Sequence, residues 1–218
     1  METTIGEKDY IVIDNGSGFI KAGFSGEDTP RIVIPTVMET IPAPEQGKVI
    51  VYNIGNNIDL KNPVQERLTY PIERGQIINL EKEPDTNWDT MTRIWEYIIK
   101  TLGTEPSTAN VLITDSPCSD RDTKLKMAEI MFDKLKVNTL GIVSTAVLSL
   151  LSTGRTRGLV VESGDGITHA VPVFEGYALP HAIRTLHLAG SDLTKHIHDS
   201  LREHLLPAQI TIARNIKE

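Results

Sequence analysis

The stretch Ile11-Val12-Ile13-Asp14-Asn15-Gly16-Ser17-Gly18 decides how the first part of the chain is expected to fold. Its three β-branched residues predict a buried strand, and the polar, glycine-rich segment after them predicts a tight turn. Ile20 to Phe24 then predict a second strand, antiparallel to the first. Gly16 and Gly18 permit backbone angles that other residues resist, and they let the main chain approach a ligand closely. The stretch therefore predicts a β-hairpin whose turn can contact a ligand.

The polar residues of this hairpin suit a phosphate group and a divalent cation. Successive backbone N–H groups of the turn can converge on an anion, and Ser17 adds a hydroxyl donor. Lys21 lies on the returning strand and can place its ammonium on a phosphate. Asp14 ends the first strand, where a carboxylate suits magnesium, since this ion usually keeps several waters. The predicted phosphate-binding residues are Gly16, Ser17, Gly18 and Lys21, and the predicted metal-binding residue is Asp14.

The same pattern recurs later in the chain. Leu159 to Glu162 predict a buried strand that ends in an acid, Ser163 to Gly166 a glycine-rich turn, and Ile167 to Phe174 the returning strand. One glycine-rich hairpin turn is usually only a turn. Two acid-tipped hairpins of this kind suggest two related half-domains. We expect the two turns to face each other across one cleft and to bind one phosphate chain from opposite sides.

Composition limits the remaining possibilities. The chain has 218 residues, enough for one large or two small domains, and 39% of them are hydrophobic. Its net charge of −7 argues against a nucleic-acid-binding surface. Cys118 is the only cysteine, so no internal disulfide can form, which suits a reducing compartment. No apolar run is long enough to span a bilayer, and residues 1–10 lack the apolar core of a signal peptide. We expect a cytoplasmic protein that binds neither nucleic acid nor membrane.

The rest of the chain predicts alternating strands and helices, which indicates an α/β fold. Strands are expected at 110–114 and 140–143, and residues 36–70, rich in proline, are expected to form a small excursion with a strand at 49–52. Apolar residues recur at helical spacing over 91–99, and we expect them to form the buried face of a helix. They are Met91, Ile94, Trp95, Ile98 and Ile99. A helix over 121–135 is expected to bury Leu125, Ala128, Ile130, Met131 and Phe132.

Taken together, these residues resemble actin and the actin-related proteins. The first hairpin, followed by Lys21-Ala22-Gly23-Phe24, resembles the first phosphate-binding hairpin of that family, and Ser163 to His169 resemble the second. Tyr70-Pro71-Ile72-Glu73 matches a further sequence motif of the family. The segment Glu175 to Ala182, with the sequence EGYALPHA, is highly specific to the family. The resemblance extends from about Ile11 to Glu218.

The resemblance implies an actin-like ATPase fold of the ribonuclease H-like class, with ATP or ADP and magnesium bound between the hairpins. It implies a first domain over residues 1–152, with the excursion over 36–70, and a partial second domain over 153–218. Asp14 and Asp165 are implied to organise hydrated magnesium, and His169 to orient the attacking water. Lys217 and Glu218 resemble residues that flank the adenine, although a solvated charged tail is the alternative for these two. The implied cofactor-binding set is Gly16, Ser17, Gly18, Lys21, Gly164, Asp165, Gly166, Lys217 and Glu218.

Several positions depart from the family pattern. Glu162 replaces an aspartate at the end of the second hairpin's first strand, and Thr145 replaces the hinge glutamine that positions the nucleophilic water. Arg74 replaces a modified histidine, and Leu151 replaces an aromatic residue of the partner-binding cleft. The residues at the catalytic positions are therefore His169, Glu162 and Thr145. We expect ATP hydrolysis to be weak or absent.

Two functions remain open on this basis. The first is an actin-like cytoskeletal protein that binds ATP or ADP with magnesium. The alternative is a non-catalytic actin-like scaffold subunit of a larger complex that binds no nucleotide. A sugar kinase or an Hsp70-type ATPase shares the superfold, but residues 175–182 argue against both. Because the family segments beyond Glu218 are absent from the sequence, we expect other actin-like or cytoskeletal subunits to cover the face that those segments would cover.

Overall fold

The computed structural model describes residues 10–42, 51–60, 64–77, 86–201 and 210–217, apart from the side chains of Gln65 and Thr211. The strands in the first half of this region are β1 (Tyr10–Asn15), β2 (Phe19–Phe24), β3 (Ile32–Pro35), β4 (Met38–Ile41), β5 (Val51–Ile54), β6 (Leu68–Thr69), β7 (Ile72–Glu73) and β8 (Gln76–Ile77). Those in the second half are β9 (Asn110–Asp115), β10 (Thr139–Ser144), β11 (Gly158–Ser163), β12 (Thr168–Phe174), β13 (Tyr177–Ala178) and β14 (Arg184–Leu186).

The helices alternate with these strands in part of the chain, as an α/β fold requires. They are α1 (Thr86–Thr101), α2 (Arg121–Glu129), α3 (Thr145–Leu151), α4 (Gly190–Ser200) and α5 (Ile210–Lys217). A π-helical turn, Ile130–Lys134, continues α2. No helix within the described ranges is both long enough and apolar enough to cross a membrane.

The first sheet has five strands in the order β10-β9-β1-β2-β3. β1, β2 and β3 form an antiparallel meander, and β9 runs parallel to both β1 and β10. The register places Asp14 opposite Lys21 at the turn end of the first hairpin. The predicted hairpin and the predicted strands at 110–114 and 140–143 are therefore confirmed.

Helix α1 supplies one side of the core of the first sheet. Its five predicted core residues are fully buried, and they pack in one cluster with apolar side chains of β1 and β9. Asn87 and Trp88 at the start of the helix are buried as well. The helical spacing of apolar residues therefore identified this buried face correctly.

The prediction for the helix over 121–135 was wrong at Leu125 and Phe132, and Ala128 is only partly buried. Leu125 is 55% exposed and Phe132 is 43% exposed, whereas Met127 is buried with the predicted Ile130 and Met131. Residues at i, i+3 and i+4 share a helix face, and Met127 defines that face here. Leu125, two residues earlier, therefore points away from the core.

The second sheet is smaller. β11 pairs with β12 in antiparallel register, and β12 also pairs with β13 and β14. Helix α3 packs on this sheet, so that Ala146, Val147 and Leu150 contact Val171 and Val173 in a separate core. The strand pairing of the predicted second hairpin is confirmed, with Glu162 opposite His169. The prediction that its first strand is buried was wrong, since Leu159 is 65% exposed and Val161 is 66% exposed. The core under α3 takes up only the face of β11 that carries Val160.

The excursion carries a sheet of its own, in the order β5-β4-β6. Met38 and Ile54 from this sheet are buried in the core of the first sheet. Of the strand expected at 49–52, the structure describes Val51–Ile54, and residues 49 and 50 lie outside the described residues. The division into domains at residues 152 and 153 stays a prediction.

Truncating a residue on the buried face of α1 is expected to destabilise the protein much more than truncating a residue on the outer face of α2. Ile94→Ala should lower the free energy of unfolding by about 2–5 kcal/mol, since it leaves a cavity in the core. Leu125→Ala should change it by about 0.5 kcal/mol or less, as exposed positions do. Urea unfolding followed by circular dichroism measures both. Equal losses in the two variants would contradict the assignment of the core.

Candidate nucleotide-binding cleft

A cavity of about 500 Å³ lies between the two hairpins. Both turns line it, including Gly16 on the first hairpin and Gly164 on the second. The expectation that the two turns face one cleft is therefore confirmed. The predicted site residues that line the cavity are Asp14, Gly16, Ser17, Lys21, Thr145, Glu162, Gly164, Asp165, Gly166 and His169.

The tips of the two hairpins touch each other at positions where a side chain would not fit. A Cβ atom on Gly166 would lie 2.5 Å from the Ser17 Oγ, and a Cβ atom on Gly18 would lie 2.8 Å from the Asp165 Cγ. Both glycines are buried. Gly18 lines a neighbouring cavity rather than the one between the hairpins. The missing side chains at these two positions allow the turns to approach this closely.

The first hairpin is held in place from β9 and α1. The Asn15 N–H donates to the Thr114 Oγ1 at 2.8 Å, and the Trp95 Nε1–H donates to the Asn15 Oδ1 at 3.1 Å. The Thr114 hydroxyl in turn donates to the Asp14 Oδ1 at 3.0 Å. Lys21 Nζ lies 3.9 Å from the other Asp14 oxygen, and both side chains are partly exposed. The hydrogen bond from Thr114 thus holds Asp14 at the cleft, and Lys21 lies beside it.

Both turns present backbone N–H groups that suit an anion. The amides of Ser17, Gly18, Asp165 and Gly166 donate no hydrogen bond to any other residue that the structure describes. Gly18 and Gly166 are buried, where an N–H group without a partner costs free energy. A phosphate group would satisfy such donors, as it does in other concave turns. With the ammonium of Lys21 beside them, the residues present fit a phosphate chain.

Glu162 binds the hydroxyl groups of helix α3. Its Oε2 accepts a hydrogen bond from the Thr145 Oγ1 at 2.9 Å, and its Oε1 accepts one from the Ser149 Oγ at 2.5 Å. Thr145 and Ser149 are four residues apart and therefore lie on the same helix face. Sequence analysis missed Ser149, although this spacing could have identified it. Both oxygens of Glu162 are therefore engaged by the protein.

His169 is neutral at physiological pH. It is 5% exposed, and this burial lowers its pKa, as does His187 nearby, while Glu162 acts in the opposite direction. Its Nδ1 lies 3.9 Å from the Cys118 Sγ, a contact that sequence analysis did not find. Burial also raises the pKa of the Cys118 thiol. A neutral imidazole can donate one hydrogen bond and accept another.

Two basic side chains of α5 lie near the second turn and the start of α4. Arg214 Nη2 is 3.5 Å from the Asp165 Oδ1, and Lys217 Nζ donates to the Gly190 carbonyl at 3.4 Å. Lys217 does not line the cavity between the hairpins, and Glu218 lies outside the described residues.

Two carboxylates, not a dense acidic cluster, are available for a metal ion. Within the described part of the chain, no group of three or more His, Cys, Asp or Glu side chains is placed to hold a metal ion. Asp14 and Asp165 both line the cavity, and magnesium that keeps most of its waters needs only one or two carboxylates. The donor set therefore fits hydrated magnesium, and the assignment of these two residues stays a prediction.

Comparison with models of known protein families identifies the family of this chain. Residues 5–218 match the family model described as Actin. The matched range contains both hairpins, the excursion and every residue of the cleft described above.

Proposed function

The chain belongs to the actin family, and we propose that it binds ATP or ADP with magnesium in the cleft between its two hairpins. The observation that carries this proposal is the pair of glycine-rich turns in contact, each with two N–H groups that donate to no other described residue. Lys21 adds a cation at the mouth of the same cavity. Convergent N–H groups and a lysine are the donors that phosphate-binding loops use.

Each residue of the cleft then has a specific role. Ser17, Lys21 and the N–H groups of both turns would bind the phosphates, and Asp14 and Asp165 would bind waters of the magnesium ion. Magnesium would neutralise charge on the phosphates. His169, neutral and buried at the cleft wall, would orient a water molecule through one ring nitrogen. Lys217 and Glu218 would lie near the adenine.

Hydrolysis is proposed to be weak or absent. Thr145, at the position of the hinge glutamine, donates its hydroxyl to Glu162 rather than to the cavity. Glu162 also accepts from Ser149, so neither of its oxygens is free of a protein partner. A water molecule beside the hinge would therefore have neither a side-chain amide at position 145 nor an unoccupied oxygen of Glu162 to align it. Since alignment supplies a large part of the rate enhancement in such reactions, its loss slows turnover.

Removal of the lysine is expected to weaken nucleotide binding. Lys21→Ala should raise the Kd for ATP with magnesium at least tenfold, which corresponds to about 1.4 kcal/mol. Lys195→Ala, at an exposed position of α4, should leave the Kd unchanged. Isothermal titration calorimetry of the full chain measures both. No binding by the wild-type chain, or equal Kd values for the two variants, would contradict the proposal.

A glutamine at position 145 is expected to increase turnover. Thr145→Gln supplies an amide that can hold a water, and misplacement of reacting groups costs about 10²-fold, so a rise of about tenfold or more is expected. Thr145→Val breaks the hydrogen bond to Glu162 without adding an amide, and it should not increase the rate. Single-turnover hydrolysis with labelled ATP provides the measurement. A wild-type rate as high as that of Thr145→Gln would show that hydrolysis is not impaired.

The scaffold function is favoured by a separate observation. Leu159, Val161 and Leu186 on the second sheet are 65%, 66% and 56% exposed. Leu159 and Val161 have the same parity on β11, so they share one face of the sheet. Contiguous apolar surface of this kind usually marks an interaction site. We propose that other actin-like or cytoskeletal subunits cover this face, and that the protein acts in the cytoplasmic cytoskeleton.

A charge on this face is expected to reduce association. The wild-type chain should show a mass that rises with concentration, because burying apolar surface is favourable. Val161→Lys should lower that mass, whereas Leu125→Lys, a matched change on the exposed side of α2, should not. Sedimentation velocity of the three proteins measures the effect. A wild-type chain that stays monomeric over the whole concentration range would contradict the proposed interface.

A further inference from the structure

Strand β11 lies at the edge of the second sheet and pairs with β12 on one side only. No strand within the described residues pairs with its other side. Edge strands in natural proteins are usually short, carry lysine or proline, or are covered by another element. At the opposite side of the sheet, β14 has only three residues and begins at Arg184. In contrast, the six residues of β11 include no lysine, arginine or proline.

The backbone polar groups of alternate β11 residues point to this free edge. Leu159 lies opposite Pro172, and the Pro172 carbonyl accepts the Leu179 N–H at 2.9 Å on the far side of β12. The backbone groups of Pro172 therefore point away from β11, so Leu159 and Pro172 form a non-hydrogen-bonded pair. The N–H and carbonyl groups of Leu159 consequently point outward, and those of Val161, two residues later, do the same.

The side chains at this edge are apolar and exposed. Leu159 and Val161 point to the outer face of the sheet, where each is about two-thirds exposed. Val160 points to the inner face and packs against the core under α3. The one charged side chain of the strand, Glu162, binds the hydroxyl groups of α3. The edge therefore offers backbone donors and acceptors beside apolar side chains, which another strand of the same kind complements.

The edge is complementary to itself in one antiparallel register. A two-fold axis perpendicular to the sheet places Val160 opposite Val160 of a second copy, and Leu159 opposite Val161 of that copy. Residues whose backbone groups point outward then exchange N–H···O bonds, and each exposed apolar side chain meets another. A shift by two residues would place Leu159 opposite Ser163, or Val161 opposite Arg157. The register centred on Val160 is therefore the favoured one.

We propose that β11 pairs with β11 of a second copy of this chain in the antiparallel register centred on Val160. The second sheets of the two copies would then form one continuous sheet. A two-fold contact of this kind is closed, because each copy has its free edge paired, so assembly through β11 ends at a dimer. The inference rests on the proposed function only in taking the second sheet as an interface between subunits, and it does not depend on nucleotide binding.

Proline at an outward-facing position tests the backbone pairing. Val161→Pro removes an N–H that points to the free edge and leaves the bonds between β11 and β12 in place, so the fold should tolerate it. Sedimentation velocity of the full chain should give a dimer dissociation constant roughly tenfold or more above that of wild type, because each copy loses a hydrogen bond at the interface. Val161→Thr keeps the N–H and the β-branched shape, and its effect should be smaller.

Val33→Pro is the matched control on a different edge. Val33 is an exposed valine of β3, the edge strand of the first sheet. Its carbonyl accepts the Asn56 Nδ2–H at 3.3 Å, so its backbone groups also point away from the neighbouring strand. Val33→Pro should therefore leave the dimer dissociation constant unchanged. Circular dichroism confirms that both proline variants fold.

Cysteine pairs test the register without any proline variant. Leu159→Cys and Val161→Cys, each in a Cys118→Ala background, are mixed, oxidised with copper phenanthroline and analysed by mass spectrometry. Opposed residues of a hydrogen-bonded pair lie about 5.5 Å apart at Cα, within reach of a disulfide. Diagonal neighbours lie about 7–8 Å apart. The mixture should therefore form dimers linked between positions 159 and 161, and each variant alone should form few.

The outcomes separate this inference from the proposed interface. A wild-type chain that stays monomeric contradicts both. A wild-type dimer that Val161→Pro weakens no more than Val161→Thr does would assign the contact to the outer face of the sheet and overturn the strand pairing. Disulfides that form equally in the mixture and in the separate variants would also overturn it. A mass that rises beyond that of a dimer would contradict the closed two-fold arrangement.

Discussion

The contact between the two hairpin turns is the constraint on which the cleft depends. Ser17 and Gly166 approach so closely that no side chain can stand at position 166. Each turn belongs to a different sheet with its own core, so this approach fixes how the two halves meet. Residues of both turns thereby line one cavity. A small change in this contact would move donors on both sides of the cavity at once.

The rigidity of the first turn comes from buried polar contacts behind it. Asn15 donates its backbone N–H and its side-chain Nδ2–H to Thr114, and its side-chain Oδ1 accepts from Trp95. Trp95 is fully buried in the main core, so the packing of α1 is transmitted directly to the turn. Buried polar groups that are fully hydrogen-bonded hold a single geometry, because any other arrangement leaves one of them without a partner. The second turn has a different support, the N-terminus of α4.

Local sequence patterns predicted the parts of the fold that depend on local rules. Alternation and glycine spacing identified both hairpins, and helical spacing identified the buried face of α1. The failure at Leu125 arose because composition alone does not reveal which apolar stripe of a helix meets the core. The contacts of Glu162 with Ser149, and of Arg74 with Asp192, join residues whose pairing depends on tertiary structure. Positions could therefore be predicted for the candidate site, but the partners of its side chains could not.

Binding and turnover make different demands on such a cleft. Binding needs fixed donors, which the two turns and Lys21 provide together. Turnover needs a side chain that aligns water, and it needs the cleft to open for product release. Here the residues at the hinge bind each other, since Thr145 and Ser149 occupy Glu162, and a bidentate ion pair between Arg74 and Asp192 joins the two halves. Both features favour a closed, unreactive cleft. Under the proposed function, the same side chains that weaken hydrolysis would retain the nucleotide, which suits a protein that uses nucleotide to hold its shape.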